Sequence, residues 1–231
     1  MTFTPATPVT SSQQDIHENL HKTVLRHLNH CHQKPIAPHN QTAFNQAYQH
    51  WEMIGKPEVI LDSGCGTGES SRYLSKHHPN CLVIGLDQSE KRLSHRDNEQ
   101  LPNNCLLLRC ECTDFWTLAE KAKWSFVLHT LFYPNPYPKT KHLQRRWHGS
   151  PAFHSLLQIS QSIELRTNWE IYAKEFASAL DIAKDNGFAH HDYVVTQYTG
   201  QETVTAFERK YKQSGHTLWQ VAKVIPSNDN K

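Results

Sequence analysis

Residues 59–69 read Val-Ile-Leu-Asp-Ser-Gly-Cys-Gly-Thr-Gly-Glu. A short apolar run turns directly into a loop with glycine at every second position, Gly64, Gly66 and Gly68, and then into a polar stretch with helical spacing. Without Cβ atoms, such a loop can lie close against a ligand. Two phosphate-binding patterns are excluded by spacing. The dinucleotide fingerprint needs G-x-G-x-x-G and the phosphate loop needs G-x-x-x-x-G-K-[ST], and neither is present. D-x-G-x-G-x-G instead suits a nucleoside ligand without a pyrophosphate, such as S-adenosyl-L-methionine.

Outward from that loop, strands and helices alternate. Strands are expected at 59–61, 81–86, 105–109, 125–130, 163–167, 193–198 and 218–225. Helices are expected at 69–76, after Ser89, and at 113–121, 151–159, 169–185 and 203–213. This pattern predicts an α/β fold with a seven-stranded, mostly parallel sheet and helices on both faces. Asp87 ends the second strand about 20 residues past the glycines, where a carboxylate can accept from both ribose hydroxyls. Glu111 ends the third strand and can accept from an adenine amino group.

Before the first strand, Ile16, Leu20, Val24 and Leu28 recur at four-residue steps and predict an amphipathic helix over 13–29. Asn40 reads as the N-cap of a second helix, 41–54. These form a helical extension, 13–56, of a single domain running to residue 231. Residues 1–12, rich in Thr, Pro and Ser, read as a disordered tail. Five histidines lie in this region, His17, His21, His27, His30 and His32. His17 and His21 stand one helical turn apart, but no further ligand converges on them, so a solvated or RNA-facing helix is expected rather than a metal site.

The net charge is only +2, so any polyanion-binding surface must be local. No apolar run approaches the roughly 20 residues of a membrane span. No secretory pattern opens the chain, so a cytoplasmic location is expected. The six cysteines, Cys31, Cys65, Cys81, Cys105, Cys110 and Cys112, form no disulfide framework, and Cys110-x-Cys112 reads as strand-end packing.

A second segment carries chemistry. Residues 133–147 read Tyr-Pro-Asn-Pro-Tyr-Pro-Lys-Thr-Lys-His-Leu-Gln-Arg-Arg-Trp. Alternating Pro134, Pro136 and Pro138 stiffen the backbone and forbid helix. The stiff loop is followed by Lys139, Lys141, His142, Arg145 and Arg146 with no acid among them. A polar and aromatic edge beside a cationic strip suits a base within RNA. The alternative for Arg145 and Arg146 is an ion pair inside the fold, and Trp147 and Trp169 read as packing.

The Asp62–Glu69 loop followed by Asp87 resembles the class I, Rossmann-like methyltransferases. Residues 133–146 resemble the F-P-D-P-W-x-K-x-x-H-x-x-R-R motif of the bacterial tRNA (guanine-N7)-methyltransferases, the TrmB family. Thr167-Asn168-Trp169-Glu170-Ile171-Tyr172 is similar to that family's T-D-W-x-x-Y, and Thr205-Ala206-Phe207-Glu208-Arg209 to its T-K-F-E-R. The resemblance implies an S-adenosylmethionine-dependent enzyme acting on tRNA. It places Asp62, Asp87 and Glu111 at cofactor contacts, and Asn135 at the catalytic acid, beside the cofactor. It places Lys139, Asn168, Thr205, Phe207 and Glu208 around the target guanine. Asn135 and Asn168 replace two of the family's aspartates, Tyr137 its Trp, and Ala206 its Lys. Gln158-Ile159-Ser160-Gln161 stands where the family has K-P-G-G. The paired carboxamides leave two alternatives open, a small-molecule or nucleotide substrate and a non-catalytic paralogue.

Overall fold

The computed structural model describes residues 4–30, 33–96 and 100–225. Cys31 and His32 lie outside the described residues. Among those described, seven strands form one sheet in the order β3-β2-β1-β4-β5-β7-β6. The strands are β1 (Val59–Ser63), β2 (Leu82–Asp87), β3 (Cys105–Arg109), β4 (Leu128–Phe132), β5 (Ile163–Thr167), β6 (Tyr193–Gln197) and β7 (Trp219–Lys223). β1 to β5 run parallel, and β7 is antiparallel to both β5 and β6. The chain leaves β1 toward β2 and β3, then crosses back to β4 and β5. This reversal puts a crevice at the carboxyl ends of β1 and β4, where open α/β sheets bind ligands.

Alternation along each buried strand divides the core. Val59, Leu61, Leu82 and Ile84 face the larger cluster, while Ile60 and Val83 face the smaller one. The helices are α1 (Leu20–Leu28), α2 (Pro38–Met53), α3 (Glu69–His77), α4 (Glu90–Leu93), α5 (Cys112–Lys121), α6 (Phe153–Ile159), α7 (Glu170–Asp185) and α8 (Ala206–Gln213). Residues of α1, α2, α5, α6 and α7 build the larger cluster, and α3 supplies Leu74 to the smaller one. Both faces are therefore covered, as expected for a parallel sheet.

Several local expectations are corrected. The first helix begins at Leu20, not Gln13. Before it, the His17 amide donates to Glu175 Oε1 at 2.9 Å and the His17 ring accepts from Asn19 N at 3.0 Å. These contacts hold a turn in place of a helical repeat. α2 begins at Pro38, whose ring preorganises a first helical residue, so Asn40 lies inside the helix. β4 starts at Leu128, preceded by a single bridge from Phe126 to Ser160. From Thr4 onward the segment read as a disordered tail lies against the domain. Val9 packs on the core, the Ala6 amide donates to Ser214 Oγ at 2.8 Å, and Ser11 Oγ donates to the Pro138 carbonyl at 2.5 Å. Composition alone misses these long-range partners.

Candidate active site

The glycine loop joins β1 to α3 at the crevice. All three glycines have positive φ: +79° at Gly64, +61° at Gly66 and +75° at Gly68. A side chain at Gly68 would also meet Leu107, with 2.5 Å from its Cβ to Cδ1. At Gly64 and Gly66 a Cβ would meet nothing within 4 Å. The loop thus presents bare backbone to open space, a cradle that a ligand could fill.

Asp62 holds this loop from below. Ser70 and Ser71 each donate to its Oδ2 at 2.6 Å, and Thr130 donates to Oδ1 at 2.9 Å. Burial pushes its carboxyl above the ordinary range, against the pull of the three hydroxyls. At 1% exposure and with both oxygens accepting hydrogen bonds, Asp62 supports the loop. The two serines, which follow the glycines at the start of α3, carried no signal in the sequence.

Asp87 accepts from Gly66 N at 3.0 Å, from Ser89 N at 2.7 Å and from Arg92 Nη1 at 3.1 Å. The two amides hold its carboxylate at the end of β2, where it is 2% exposed. The half-exposed Arg92 side chain shares Oδ2 with the Gly66 amide. Glu111 lies at the end of the next strand as the first residue before α5, and its side chain makes no cap. Its backbone amide donates to Asn40 Oδ1 at 3.1 Å, while Asn40 Nδ2 donates to Asp114 at 2.7 Å. Burial raises the Glu111 carboxyl above its ordinary value, with Lys34 opposing. Bare glycine backbone, the Asp87 carboxylate and a half-buried acid share the carboxyl edge of three adjacent strands. They fit the parts of an adenosyl ligand.

Beneath the loop runs a satisfied polar chain. Trp116 Nε1 donates to Ser63 Oγ, which contacts His129 Nε2 at 2.8 Å, and His129 Nδ1 meets Ser160 Oγ at 2.8 Å. Ser160 Oγ donates onward to the Leu156 carbonyl, so His129 donates through Nδ1 and accepts through Nε2. Burial pulls the imidazole down to about 3. It is a neutral structural group.

The loop after β4 is strained. Tyr133 has φ +52° and Tyr137 has φ +44°, values sparsely populated by residues other than glycine. The prolines do stiffen the segment, but each flanking tyrosine turns it sharply. Between them, Asn135 is exposed and folds its Oδ1 back to accept from Tyr137 N at 3.3 Å. Lys139 and Arg145 are exposed, and the Arg145 guanidinium lies 5.8 Å from the Tyr137 ring centroid. Arg146 is not part of this surface, which corrects its expected phosphate contact. It is fully buried, pairs with Glu175, lies over Trp169 and donates to the Tyr137 carbonyl from Nη2 at 3.1 Å. The partner, Glu175, sits on α7 directly after Lys174, and nothing in its local spacing marks it.

Asn168 emerges from β5, next to β4, and gives Nδ2 to His216 Nδ1 at 3.2 Å. Thr205 caps α8, its side chain accepting from Glu208 N at 3.0 Å. Phe207 is 52% exposed and stacks on Tyr211, which also contacts Tyr133. Glu208 is fully buried, with Oε2 held by Arg166 Nη1 and Val204 N. Burial raises its carboxyl. Glu208 therefore anchors α8 through Oε2, while its Oε1 is buried with no hydrogen-bond partner among the described residues. Cys110 and Cys112 are buried, and burial pushes the Cys110 thiol up to about 12.

Known proteins share these features. A family model described as "Putative methyltransferase" matches residues 56–221. The tRNA (guanine-N(7)-)-methyltransferase of Photobacterium profundum is 27% identical over 192 residues, covering 77% of this chain and 76% of that one. Its counterpart from Escherichia coli is 30% identical over 175 residues, covering 71% and 70%. Among solved structures, an antibiotic-related methyltransferase aligns with a TM-score of 0.57 at 13% identity, over 77% of this chain and 92% of that one. A variant of the 16S rRNA (adenine(1408)-N(1))-methyltransferase from Catenulisporales acidiphilia, solved with S-adenosylmethionine, aligns with a TM-score of 0.52 at 17% identity, over 79% and 93%. These two share the fold. With the family match spanning most of its length, the chain is an S-adenosylmethionine-dependent methyltransferase and belongs to the family that holds the tRNA (guanine-N(7)-)-methyltransferases.

Proposed function

We propose that this chain methylates N7 of a guanine in tRNA. One observation carries the choice of base: the relatives this chain resembles are tRNA (guanine-N(7)-)-methyltransferases. Asn135 gives its oxygen to Tyr137 N, and its Nδ2 donor has no hydrogen bond among the described residues. Asn168 spends an Nδ2 hydrogen on His216, and its oxygen has no hydrogen bond among the described residues. A donor and an acceptor from the loops after neighbouring strands can both be used by guanine, which offers the O6 acceptor and the N1–H and N2–H donors on one edge. Adenine's edge also carries one donor and one acceptor, so the relatives, not this pair, select guanine. Lys139 and Arg145, on the same loop as Asn135, suit the phosphates of a polynucleotide, and exposed Phe207 suits an unstacked base.

The chemistry asks little of the protein. Guanine N7 carries an in-plane lone pair and no proton, so no general base is required. S-adenosylmethionine supplies an already activated methyl group. Asp87 would accept from the ribose hydroxyls and Glu111 from the adenine amino group, while the glycine backbone admits the ligand. Asn135 and Asn168 would orient the guanine, so alignment supplies most of the acceleration. A tRNA substrate accords with a cytoplasmic location, and no helix among the described residues is long and apolar enough to cross a membrane.

The test is methyl transfer from labelled donor to bulk tRNA, followed by nucleoside mass spectrometry. The label is expected in 7-methylguanosine. Label in another nucleoside, or in no tRNA nucleoside despite cofactor binding, would overturn this reading.

A further inference from the structure

His216 follows Gly215, at φ +74°, beyond the end of α8, and its ring lies flat on Tyr211 with centroids 5.4 Å apart and planes at 13°. Both ring nitrogens are engaged. Nε2 stands 3.2 Å from the Ala6 carbonyl oxygen, and Nδ1 stands 3.2 Å from Asn168 Nδ2. A carbonyl can only accept, so in the neutral ring Nε2 carries the proton. Nδ1 then has the lone pair and accepts the amide hydrogen. The segment around Ala6 is itself pinned, since the Ala6 amide donates to Ser214 Oγ.

The two ends of a carboxamide are chemically opposite. With Nδ2 drawn to the imidazole, Asn168 Oδ1 is turned away from it and has no hydrogen bond among the described residues. We propose that His216 is a positioning residue that locks the Asn168 carboxamide with its oxygen toward the target base. The N-terminal segment sets the ring's tautomer and so completes the lock. Released, the amide could rotate half a turn and present N–H to the N–H groups of guanine. A carboxylate at this position would need no lock, because both of its ends accept. The pair Asn168–His216 would then do the work of one aspartate. This inference rests on the reading of Asn168 as a contact to guanine.

Four proteins test it: wild type, His216→Phe, Asn168→Asp and the double variant. Phenylalanine keeps a ring on Tyr211 and removes the acceptor, and melting temperatures report whether each protein folds. In the wild-type background, His216→Phe is expected to lower kcat/KM on bulk tRNA about tenfold, chiefly through KM, the scale of one hydrogen bond between well-placed partners. In the Asn168→Asp background the same change is expected to alter kcat/KM less than about twofold. Equal losses in both backgrounds would make the ring merely structural, and no loss in either would show that Asn168 needs no lock. Imidazole 15N chemical shifts give a readout independent of activity. In the neutral ring a protonated Nε2 and an unprotonated Nδ1 are expected, and the reverse tautomer would overturn the lock even if tRNA proves not to be the substrate.

Discussion

Arg146 and Glu175 meet with neither side chain reaching solvent. Arg146 also reaches the Tyr137 carbonyl and Gln13 Oε1, while Glu175 accepts from His148 Nε2, Gln13 Nε2 and the His17 amide. One buried pair thus ties the strained loop carrying Asn135 to α7 and to the segment preceding α1. Removing one partner leaves the other charge buried and unpaired. Arg146→Ala is expected to destabilise the fold by about 3–5 kcal/mol in urea unfolding, whereas exposed Arg145→Ala should change it by less than about 0.5 kcal/mol. Similar, small effects for both would mean that the pair is not the tie.

Acid should weaken the fold. Burial holds His129 at about 3 and also lowers His148. A histidine whose value is lowered by folding contributes stability that is complete above the unfolded value near 6.5 and is lost as pH falls below it. Burial alone would raise Glu175, but His148 and Arg146 outweigh it and hold the carboxyl at about 2. Its contribution is complete above about 4.5 and is lost between there and 2. Unfolding free energy should therefore drop by about 1.4 kcal/mol per pH unit for His129 alone below pH 6. His129→Gln should flatten that slope, at the expense of stability at pH 7. An unchanged slope in the variant would place the acid sensitivity elsewhere.

Cofactor affinity should depend on Asp87. Asp87→Ala removes the ribose acceptor and frees the Gly66 amide it holds. Binding of S-adenosylmethionine measured by calorimetry should weaken by about 1–3 kcal/mol. Wild-type affinity in this variant would remove Asp87 from the site.

Salt dependence separates surface cations from buried ones. Lys139→Ala and Arg145→Ala should each reduce the log–log salt slope of tRNA binding by about 0.7–0.9. Arg146→Ala should leave the slope unchanged wherever the protein stays folded, since this guanidinium is sealed inside. A slope lost with Arg146 and kept without the other two would reverse the assignment.

Asn135→Asp should slow the reaction if Asn135 gives an Nδ2 hydrogen to the guanine. A carboxylate cannot donate, so kcat/KM should fall by about 1–3 kcal/mol, roughly tenfold to a hundredfold. Higher activity in the variant would mean that charge stabilisation of the methylated base, rather than the Nδ2 donor, is what the site lacks.

The glycine spacing at 64–68 and the acids at 87 and 111 could be read directly from the chain, because each depends on its place at the end of a strand. The alternation of elements likewise dictated a parallel sheet and the edge at which a ligand sits. These are local patterns, and local geometry suffices for them. Which cations face solvent was not legible. Arg145 and Arg146 are neighbours of like chemistry, yet one is exposed and one is sealed. Only α7, folding back to bring Glu175 underneath, separates them. Likewise Asp62 and Glu208 bear the family's motif but turn inward, to Ser70, Ser71 and Thr130 in one case and Arg166 in the other. The two carboxamides could be found by position, but not the way each faces. That depends on Tyr137 N for Asn135 and on His216 for Asn168, 48 residues away in the chain. A side chain's donors and acceptors are assigned by whatever the fold places beside them, and that is decided only when distant segments meet.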